Sequence, residues 1–555
     1  MRDPLAGKPV PRDRLANIPA LISAYYTLTP DSSIKTERIS FGTSGHRGSA
    51  LNKSFNEAHV LAIMQAVCDY RKEKGYTGPL YMGMDTHALS TPAQMTAVSV
   101  CAANGVYVHI AKDGEYTPTP LVSFAILAHN AGAVDSADGI IMTPSHNPPE
   151  DGGFKYNPPD GGPADTGTTA SIEKYANAIL EKGLHDVRSM PYEDALKSDF
   201  VKAYDFITPY VEALKDIIDI KAIQKANLRL AADPLGGAAI GVYKKIKEIY
   251  GLNMEIINPY VDPAFSFMTL DYDGKIRMDC SSPDAMASLI NLREQYDLAF
   301  ANDTDSDRHG IVTPVGGLMN PNHYLSVAIW YLFKHRNHWS ENLKVGKTLV
   351  SSSMIDHVAR RLGKEIYEVP VGFKWFSRGL FEEWLGFGGE ESAGASFLRF
   401  DGRVWTTDKD GIIMNLLSAE IKSRTARDPA EIYSDFEKAF GKAYYARLDA
   451  PATPDQKTKL RQIKPEAIGI NDLAGEPILT TCTTAPGNGA SIGGIKIVTK
   501  HAWVAMRPSG TENIYKIYAE SFLSPQHLAA IQSSAQRITT GLISTWNKRE
   551  LDRHY

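Results

Sequence analysis

The sequence predicts an α/β fold divided into four units, and three observations support this prediction. The chain has 555 residues, which is too many for one ordinary hydrophobic core. Signals for helix starts and stops alternate with short apolar runs typical of strands, as in folds built on a largely parallel sheet. A proline-rich stretch at 449–455 is typical of a linker before a separate last unit.

The first unit carries the clearest alternation of helices and strands. Ser90 offers a helix N-cap before an early proline, and the apolar run that follows stops at 104–105. A second helix is predicted at 118–132, where apolar residues share one helical face. Strand-like runs lie at 102–110 and 139–142.

The later units continue the same alternation. Strands are predicted at 228–232, 298–301, 348–351, 503–506 and 514–519, and helices at 237–249, from 324, at 355–362 and from 525. The resulting division is an N-terminal extension at 1–39, followed by units at 40–209, 210–322, 323–448 and 449–555.

The composition is that of a soluble protein whose ligands are small molecules. The chain is 43% hydrophobic and 22% charged, which is ordinary for globular domains. Its net charge of -5 gives no basic excess, so neither nucleic acid nor an anionic membrane is expected as a partner. The four cysteines are far apart in the sequence, which favours a reducing, cytoplasmic location over a disulfide framework.

A serine loop follows the apolar strand of the first unit, in the sequence IIMTPSHNP at 140–148. Ligand-binding residues of α/β sheets gather at the carboxyl ends of strands, so Ser145 is a candidate nucleophile. A loop serine that merely caps a helix is the commoner alternative. The G-x-S-x-G turn of hydrolases is excluded, because Met142 and Asn147 occupy its glycine positions.

An acidic loop, DTDSDR at 303–308, follows another apolar strand. Alternate side chains of an extended segment share one face, so Asp303, Asp305 and Asp307 can converge on one hard cation such as Mg²⁺. An EF-hand is excluded, because Arg308 stands where that loop requires glycine. The alternative is a solvated acidic turn, but three like charges on one face repel each other unless something neutralises them.

Three further loops offer groups for anions and sugars. In RPSGTEN at 507–513, Arg507 can fork onto a phosphate while the turn supplies hydroxyls and backbone N–H groups; a plain hairpin turn is the alternative. GGEESAG at 388–394 offers acids and a serine to sugar hydroxyls, although such loops are often mere turns. SFGTSGHRG at 40–48 indicates a flexible loop that presents Arg47 and backbone amides to an anion; a plain loop is the alternative.

Taken in this order, the five loops resemble those of the α-D-phosphohexomutase superfamily, in particular its bacterial-type phosphoglucomutases. The resemblance extends from about residue 40 to the end of the chain. It implies three related α/β/α domains and a smaller C-terminal α+β domain around a central cleft. It also implies a phosphoglucomutase that interconverts glucose 1-phosphate and glucose 6-phosphate, with glucose 1,6-bisphosphate as intermediate and activator.

The resemblance also implies the roles of individual residues. Ser145 would carry the phosphate, and Mg²⁺ would be held by Asp303, Asp305, Asp307 and an oxygen of the phosphorylated Ser145. Lys155 would act as general acid and base if burial and nearby cations lower its pKa, with His146 as the second candidate. The substrate would contact Arg47, Arg308, Val371, Gly372, Glu390, Ser392, Lys409, Arg507, Ser509, Gly510 and Thr511.

Alternatives to this function concern the sugar, the fate of the phosphate and activity itself. Glu391 is similar to the residue of the glucose-handling branch, but a mutase for another hexose phosphate, such as mannose phosphate, is the nearest alternative. A metal-dependent phosphatase and a silent scaffolding relative are the others. The expected partners are hexose phosphates, without nucleic acid or membrane, and the sequence leaves a homodimer open.

Overall fold

The computed structural model describes residues 2–42, 45–509 and 514–551. Their strands form sheets of seven, five, four and five strands and one two-stranded ribbon. The α/β fold in four domains is confirmed, with three α/β/α domains and a C-terminal domain. No helix in the described part of the chain combines the length and hydrophobicity that a membrane span requires.

The first domain is built on the seven-stranded sheet. Its elements are α1 Ile18–Thr27, β1 Phe41–Gly42, β2 Gly45–Ser49, α2 Glu57–Lys74, β3 Leu80–Met84, α3 Ser90–Ala103, β4 Val108–Ala111, α4 Thr119–Asn130, β5 Asp138–Met142, β6 Asp151–Asn157, α5 Thr166–Glu181, α6 Tyr192–Lys197 and β7 Val201–Tyr204. The sheet order is β1-β2-β6-β5-β3-β4-β7, and the serine loop connects β5 to its antiparallel neighbour β6.

The second domain has the five-stranded sheet in the order β12-β11-β10-β8-β9. Its elements are α7 Ile207–Ala213, α8 Ile220–Ala226, β8 Leu230–Asp233, α9 Ala239–Tyr250, β9 Met254–Ile256, α10 Ala287–Asn291, β10 Leu298–Ala301, β11 Gly310–Thr313 and β12 Gly317–Leu318. The acidic loop connects β10 to the antiparallel β11.

The third domain has the four-stranded sheet in the order β14-β13-β15-β16. Its elements are α11 Pro321–His335, β13 Lys344–Thr348, α12 Met354–Arg361, β14 Ile366–Val369, α13 Lys374–Phe381, β15 Leu385–Gly389, β16 Ala395–Phe397, α14 Gly411–Thr425 and α15 Pro429–Phe440. The loop at 390–394 connects β15 to the antiparallel β16.

The C-terminal domain is an antiparallel sheet, in the order β17-β23-β22-β21-β20, with two helices packed on it. Its elements are β17 Tyr444–Pro451, α16 Pro454–Arg461, β18 Asp472–Leu473, β19 Glu476–Pro477, β20 Thr480–Thr484, β21 Ser491–Val498, β22 Ala502–Pro508, β23 Ile514–Ser521 and α17 Pro525–Leu551. The smaller α+β domain is therefore as expected.

The three α/β/α domains repeat one four-strand pattern, although the sequence shows no repeat. The pattern is β4-β3-β5-β6 in the first domain, β9-β8-β10-β11 in the second and β14-β13-β15-β16 in the third. In each pattern, three parallel strands are followed by one antiparallel strand. The serine loop, the acidic loop and the loop at 390–394, here called the glycine-rich loop, therefore occupy equivalent positions, at the carboxyl ends of β5, β10 and β15.

The N-terminal extension, to which the sequence analysis gave no role, links the first two domains. The N–H groups of Asp3 and Gly7 donate to the carbonyls of Tyr272 and Leu270, both at 2.8 Å, so this segment lies along the second domain. The following helix α1 buries Leu21 and Tyr25 in the core of the first domain. The segment thus spans from one domain to the other.

Several local predictions are wrong for identifiable reasons. The linker expected at 449–455 is the end of β17 and the start of α16. The strand expected at 348–351 ends at Thr348, because the Ser351 N–H donates to the Thr348 carbonyl and closes a turn. Residues 102–103 belong to α3 rather than to a strand, and Ser90 lies inside that helix, because its hydroxyl donates to Asp85 instead of capping.

The loop expected at 40–48 is also different from the prediction. Residues from Gly45 onward form β2, which pairs with β6 beside the serine loop. A strand therefore holds Arg47 in place, where the sequence analysis expected a flexible segment. Residues 43–44 lie outside the described part of the chain.

Candidate active site

A cleft of about 1710 Å³ is lined by residues from all four domains. The first domain contributes Arg47 and Ser145, the second Arg308, the third Glu390 and the last Tyr518. Residues that are far apart in the sequence therefore face a common space. A cleft of this size and mixed polarity accommodates a phosphorylated sugar.

Ser145 is held in a strained conformation at the tip of the loop between β5 and β6. Its φ of +56° lies in the left-handed region, which a non-glycine residue adopts at a cost. The backbone N–H of Ser145 donates to Thr143 Oγ1 at 2.8 Å, and the backbone carbonyl accepts from Thr304 Oγ1 at 2.7 Å. The side chain is buried, and its hydroxyl donates to Asp303 Oδ2 at 2.7 Å.

The acidic loop brings three buried carboxylates together beside this hydroxyl. Asp303, Asp305 and Asp307 each offer an oxygen within 4.8 Å of the others. Burial raises the pKa of Asp303 well above its ordinary value, and the two neighbouring carboxylates raise it further. Within the described residues, Asp305 Oδ1 and Asp307 Oδ1 are buried without a hydrogen-bond partner. This set of hard oxygen donors fits a divalent cation such as Mg²⁺.

Cationic side chains surround the acidic loop. Lys155 Nζ donates to Asp305 Oδ2 at 2.5 Å and to Asp307 Oδ2 at 2.8 Å, and Lys409 Nζ lies 3.2 Å from Asp307 Oδ2. Arg308 Nε lies 3.9 Å from Asp307 Oδ1. Burial alone would raise the pKa of Asp307, but Lys155 and Lys409 hold it below the ordinary value. The loop is therefore held by ion pairs.

The lowered pKa that a general-base role of Lys155 was expected to need is not found in this arrangement. Burial does favour the neutral amine, but Asp305 and Asp307 outweigh it and raise the pKa above the ordinary lysine value. The group beside the serine with a lowered pKa is His146, through burial and then the charge of Arg308. His146 Nδ1 lies 3.5 Å from Ser145 Oγ.

The glycine-rich loop of the third domain presents its acids to the same cleft. Glu390, Glu391 and Ser392 line the cleft. Glu390 Oε1 accepts the Gly372 N–H at 3.0 Å, and Thr348 Oγ1 donates to Glu391 Oε2 at 2.7 Å. Burial raises the pKa of the Glu390 carboxyl to about 7, although Lys409 opposes the shift. Both groups are thus positioned to exchange hydrogen bonds with hydroxyls.

The predicted phosphate loop lies at the end of β22, and only part of it is described. Gly510 and Thr511 lie outside the described residues. Arg507 and Ser509 belong to the described part but are not among the residues that line the cleft, and the same holds for Gly372 and Lys155. Val371, Arg308, Lys409 and the remaining predicted substrate contacts do line it.

The C-terminal sheet contributes a wall of the cleft that was not predicted from the sequence. Arg447 and Tyr518 are cross-strand partners of β17 and β23, and both line the cleft. Lys516 of β23, opposite Arg507 of β22, lines it as well. Strand register determines which side chains face the cleft, and no motif marks it in the sequence.

Two threonines and an aspartate support the site from behind and were also missed. Thr119, at the start of α4, donates its hydroxyl to Asp305 Oδ2 at 2.6 Å and its N–H to the Asp305 carbonyl at 2.9 Å. Asp85, after β3, accepts the hydroxyl of Thr304 from the acidic loop. For Asp85 a signal existed, since an aspartate directly after an apolar strand is what marked the acidic loop.

Comparison with known proteins covers the four domains in order. Phosphoglucomutase/phosphomannomutase family models match α/β/α domain I at residues 38–183, α/β/α domain II at 208–316, α/β/α domain III at 320–440 and the C-terminal domain at 452–537.

Individual relatives agree with these matches. A phosphoglucomutase of Komagataeibacter xylinus is 58% identical over 542 residues, which cover 98% of this chain and 98% of the relative. Phosphoglucomutase 1 of Drosophila melanogaster is 28% identical over 436 residues, which cover 74% of this chain and 73% of the relative. The crystal structure of the Paramecium phosphoprotein parafusin, in its open form, has the same fold, with a TM-score of 0.70, 20% identity and coverage of 93% of this chain and 96% of that chain.

Proposed function

The chain belongs to the phosphoglucomutase/phosphomannomutase family, and on that premise we propose that Ser145 carries the phosphate that the enzyme transfers. The enzyme is a phosphoglucomutase, an isomerase that interconverts glucose 1-phosphate and glucose 6-phosphate. One observation supports the role of Ser145 most directly: its buried hydroxyl, at the edge of the four-domain cleft, donates to Asp303 at 2.7 Å.

The chemistry requires one phosphate to be exchanged for another without loss to water. Phosphorylated Ser145 donates its phosphoryl group to the free hydroxyl of the bound sugar phosphate, which gives glucose 1,6-bisphosphate. After the bisphosphate turns end for end, its other phosphoryl group returns to Ser145 Oγ and the isomerised monophosphate leaves. Phosphoryl transfer of this kind depends mainly on positioning and electrostatic stabilisation.

We propose that Asp303, Asp305 and Asp307 hold Mg²⁺ together with an oxygen of phosphorylated Ser145. Two of the carboxylate oxygens are buried without a partner among the described residues, and all three groups are hard donors. Bound Mg²⁺ would neutralise negative charge on the phosphoryl oxygens. Arg308 and Arg47 add fixed positive charge on the cleft side of the serine loop.

The remaining roles follow the arrangement of the cleft. Glu390 and Ser392, with Val371, Gly372 and Lys409 near them, would bind the sugar hydroxyls. Arg507, Ser509, Gly510 and Thr511 would hold the phosphate that does not react. Lys155 and His146 are the two candidates for the proton of the sugar hydroxyl, and each can be replaced separately to distinguish them.

The cellular setting is a further part of the proposal. The four cysteines, Cys68, Cys101, Cys280 and Cys482, are free thiols, as in proteins of reducing compartments. We place the enzyme in the cytoplasm on this basis. A homodimer would be detected by light scattering of the purified chain.

The direct test is a mutase assay with glucose 1-phosphate, Mg²⁺ and trace glucose 1,6-bisphosphate, in which glucose 6-phosphate is measured by coupled oxidation. The wild type should turn over and the Ser145→Ala variant should not, because the variant has no oxygen to carry the phosphoryl group. Mannose 1-phosphate in place of the glucose ester tests the alternative substrate. Release of inorganic phosphate at the rate of turnover would instead indicate a phosphatase.

A further inference from the structure

A fully buried aspartate behind the serine loop has no part in the mechanism described above. Asp85 follows β3, the parallel neighbour of β5, and does not line the cleft. Five donor groups lie within hydrogen-bond distance of its carboxylate, which is enough to occupy its roughly four acceptor sites. The donors are the His87 N–H at 3.0 Å, His87 Nδ1 at 2.8 Å, Ser90 Oγ at 2.6 Å, Thr143 Oγ1 at 2.7 Å and Thr304 Oγ1 at 2.8 Å.

Thr143 connects Asp85 to the backbone of Ser145 through two hydrogen bonds. Its hydroxyl hydrogen points to Asp85 Oδ2, which leaves the oxygen free to accept the Ser145 N–H at 2.8 Å. That hydrogen bond helps to hold Ser145 at a φ of +56°, a conformation that needs support from its surroundings. A carboxylate enforces this direction, because it accepts and never donates.

Thr304 makes the corresponding contact from the second domain. It stands between Asp303 and Asp305, and its hydroxyl lies 2.8 Å from Asp85 Oδ2 and 2.7 Å from the Ser145 carbonyl. The single hydroxyl hydrogen is shared between these two acceptors. Asp85 therefore touches both the serine loop and the acidic loop, although 219 residues separate it from Thr304.

His87 holds the far side of the serine loop. Its Nδ1 faces Asp85 Oδ2, and its Nε2 lies 3.0 Å from the Asn147 carbonyl. Both neighbours are acceptors, so an imidazolium, with a proton on each ring nitrogen, satisfies both contacts. A buried ion pair of Asp85 and His87 thus binds the loop on either side of Ser145.

We propose that Asp85 and His87 are positioning residues, which fix the Ser145 hydroxyl relative to the aspartates of the acidic loop. Neither residue contacts the cleft, so both act through Thr143, Thr304 and the Asn147 carbonyl. The inference rests on the proposed role of Ser145, because a pair that aims a hydroxyl matters only if that hydroxyl reacts. Partners of this indirect kind typically contribute about 10- to 100-fold to activity.

Asp85→Asn tests the proposal, because it keeps the shape of the side chain but turns one acceptor into an NH₂ donor. We expect kcat to fall about 10- to 100-fold, while KM for glucose 1-phosphate stays within about twofold. The rate at which glucose 1,6-bisphosphate phosphorylates Ser145 in a single turnover should fall with kcat. A smaller folded fraction would also lower kcat at constant KM, but it would lower the amplitude of the single-turnover phosphorylation and leave its rate constant unchanged.

The hydroxyls provide a second test that does not depend on the folding of Asp85→Asn. Thr143→Val removes the hydrogen-bonding group at nearly constant volume, whereas Thr143→Ser keeps it. Only the valine variant should show the low kcat. In the double variant Asp85→Asn with Thr143→Val, the two losses should fail to multiply, because both break the same contact.

The matched control is Asp428→Asn, at another buried aspartate, which caps α15 and does not line the cleft. It should leave kcat unchanged. The proposal is overturned if Asp85→Asn keeps wild-type kcat, if Thr143→Val equals Thr143→Ser, or if the two losses multiply. Absence of phosphate from Ser145 in the active wild type would instead remove the proposed function, so the two failures are distinguishable.

Discussion

At the scale of single residues, the main electrostatic feature of the site is the pairing of Asp303, Asp305 and Asp307 with cationic side chains. Lys155, Lys409 and Arg308 lie within 4.0 Å of these carboxylates. The positive charge at this site therefore comes from the local placement of these three side chains, since the whole chain carries a net charge of -5. A substrate dianion entering the cleft meets cations that are already positioned, which reduces the reorganisation that the reaction requires.

Replacement of Asp305 with asparagine should weaken both the metal dependence and the rate. The change removes one anionic donor of the proposed Mg²⁺ set, and loss of indirect partners alone typically costs about 10-fold or more. We expect the Mg²⁺ concentration for half-maximal rate to rise at least about 10-fold. The control is Asp297→Asn, before β10 and partly exposed. An unchanged Mg²⁺ titration for Asp305→Asn would contradict the assigned ligand set.

Glu390 predicts a pH effect near neutrality. Burial raises its pKa to about 7, while Lys409, Glu391 and Arg308 provide the nearby charges. In the proposed role, this carboxylate accepts hydrogen bonds from sugar hydroxyls. It forms as the pH rises through about 7, so kcat/KM should rise over that range. Glu390→Gln should lower kcat/KM by about 10- to 100-fold, the equivalent of a hydrogen bond to a charged group.

The ionisation of the substrate phosphate affects wild type and variants alike. A comparison between variants therefore isolates the ionisation of the Glu390 carboxyl. The rise in kcat/KM near pH 7 should persist in Glu391→Gln and disappear in Glu390→Gln. An identical pH profile in wild type and Glu390→Gln would show that this carboxyl does not govern substrate binding.

At the scale of elements, the N-terminal extension serves as a strap between the first two domains. Its residues 3–10 pair with 268–272 of the second domain, and the loop that follows, at 271–279, lines the cleft. The Met278 N–H of that loop donates to the His146 carbonyl at 3.2 Å. The strap therefore supports a segment that touches the serine loop.

Deletion of residues 2–15 should lower the apparent Tm and raise KM for glucose 1-phosphate, because the 271–279 loop loses its backbone partners. Thermal melts and initial rates measure the two effects. Arg2→Ala is the control: it removes one ion pair, between the exposed Arg2 and the largely buried Asp284, and leaves the backbone hydrogen bonds of the strap in place. A truncated chain with wild-type Tm and KM would show that the strap does not support the site.

The sheet of the last domain is fixed on the third domain by apolar packing and buried charge. Val350 and Trp503 belong to one apolar cluster across this interface. Lys496 of β21 pairs with Glu368 of β14 at 3.0 Å, with both side chains largely buried. The wall of the cleft that carries Tyr518 is therefore fixed to the third domain.

Lys496→Met should destabilise this interface by more than about 1 kcal/mol but by less than the roughly 3–5 kcal/mol that an unpaired buried charge costs, because Lys347 Nζ still lies 3.3 Å from Glu368 Oε2. Urea unfolding followed by tryptophan fluorescence measures the change. Lys344→Met breaks an exposed pair with Glu365 and is expected to cost at most about 1 kcal/mol. Equal effects of the two variants would contradict the inferred interface.

The serine and acidic loops were predictable at the scale of elements, because each depends on a short local pattern. An apolar strand that ends in Ser145 or in alternating aspartates places those side chains at the edge of a sheet, whatever the rest of the chain does. The partnership of Asp85 with Thr304 was not predictable, because it depends on how two domains dock. The register that turns Tyr518 toward the cleft is likewise set by distant strand pairing.

For the whole molecule, the repeated strand pattern explains why four distant loops meet. Each α/β/α domain presents a loop after the same strand of its sheet, β5, β10 or β15, and the last domain supplies the fourth wall. One continuous apolar core runs through the first three domains and holds these loops in place. Ser145, the acidic triplet and the two glutamates, Glu390 and Glu391, therefore belong to one site.

A single-turnover experiment with ³²P-labelled glucose 1,6-bisphosphate tests the central claim, that Ser145 carries the phosphoryl group. The enzyme is labelled, freed of sugar and mixed with unlabelled glucose 1-phosphate, and peptides are mapped before and after mixing. The account predicts label on the peptide that contains Ser145, and its transfer to sugar at the rate of turnover. An active enzyme without phosphate on that peptide, or label that leaves as inorganic phosphate, would contradict it.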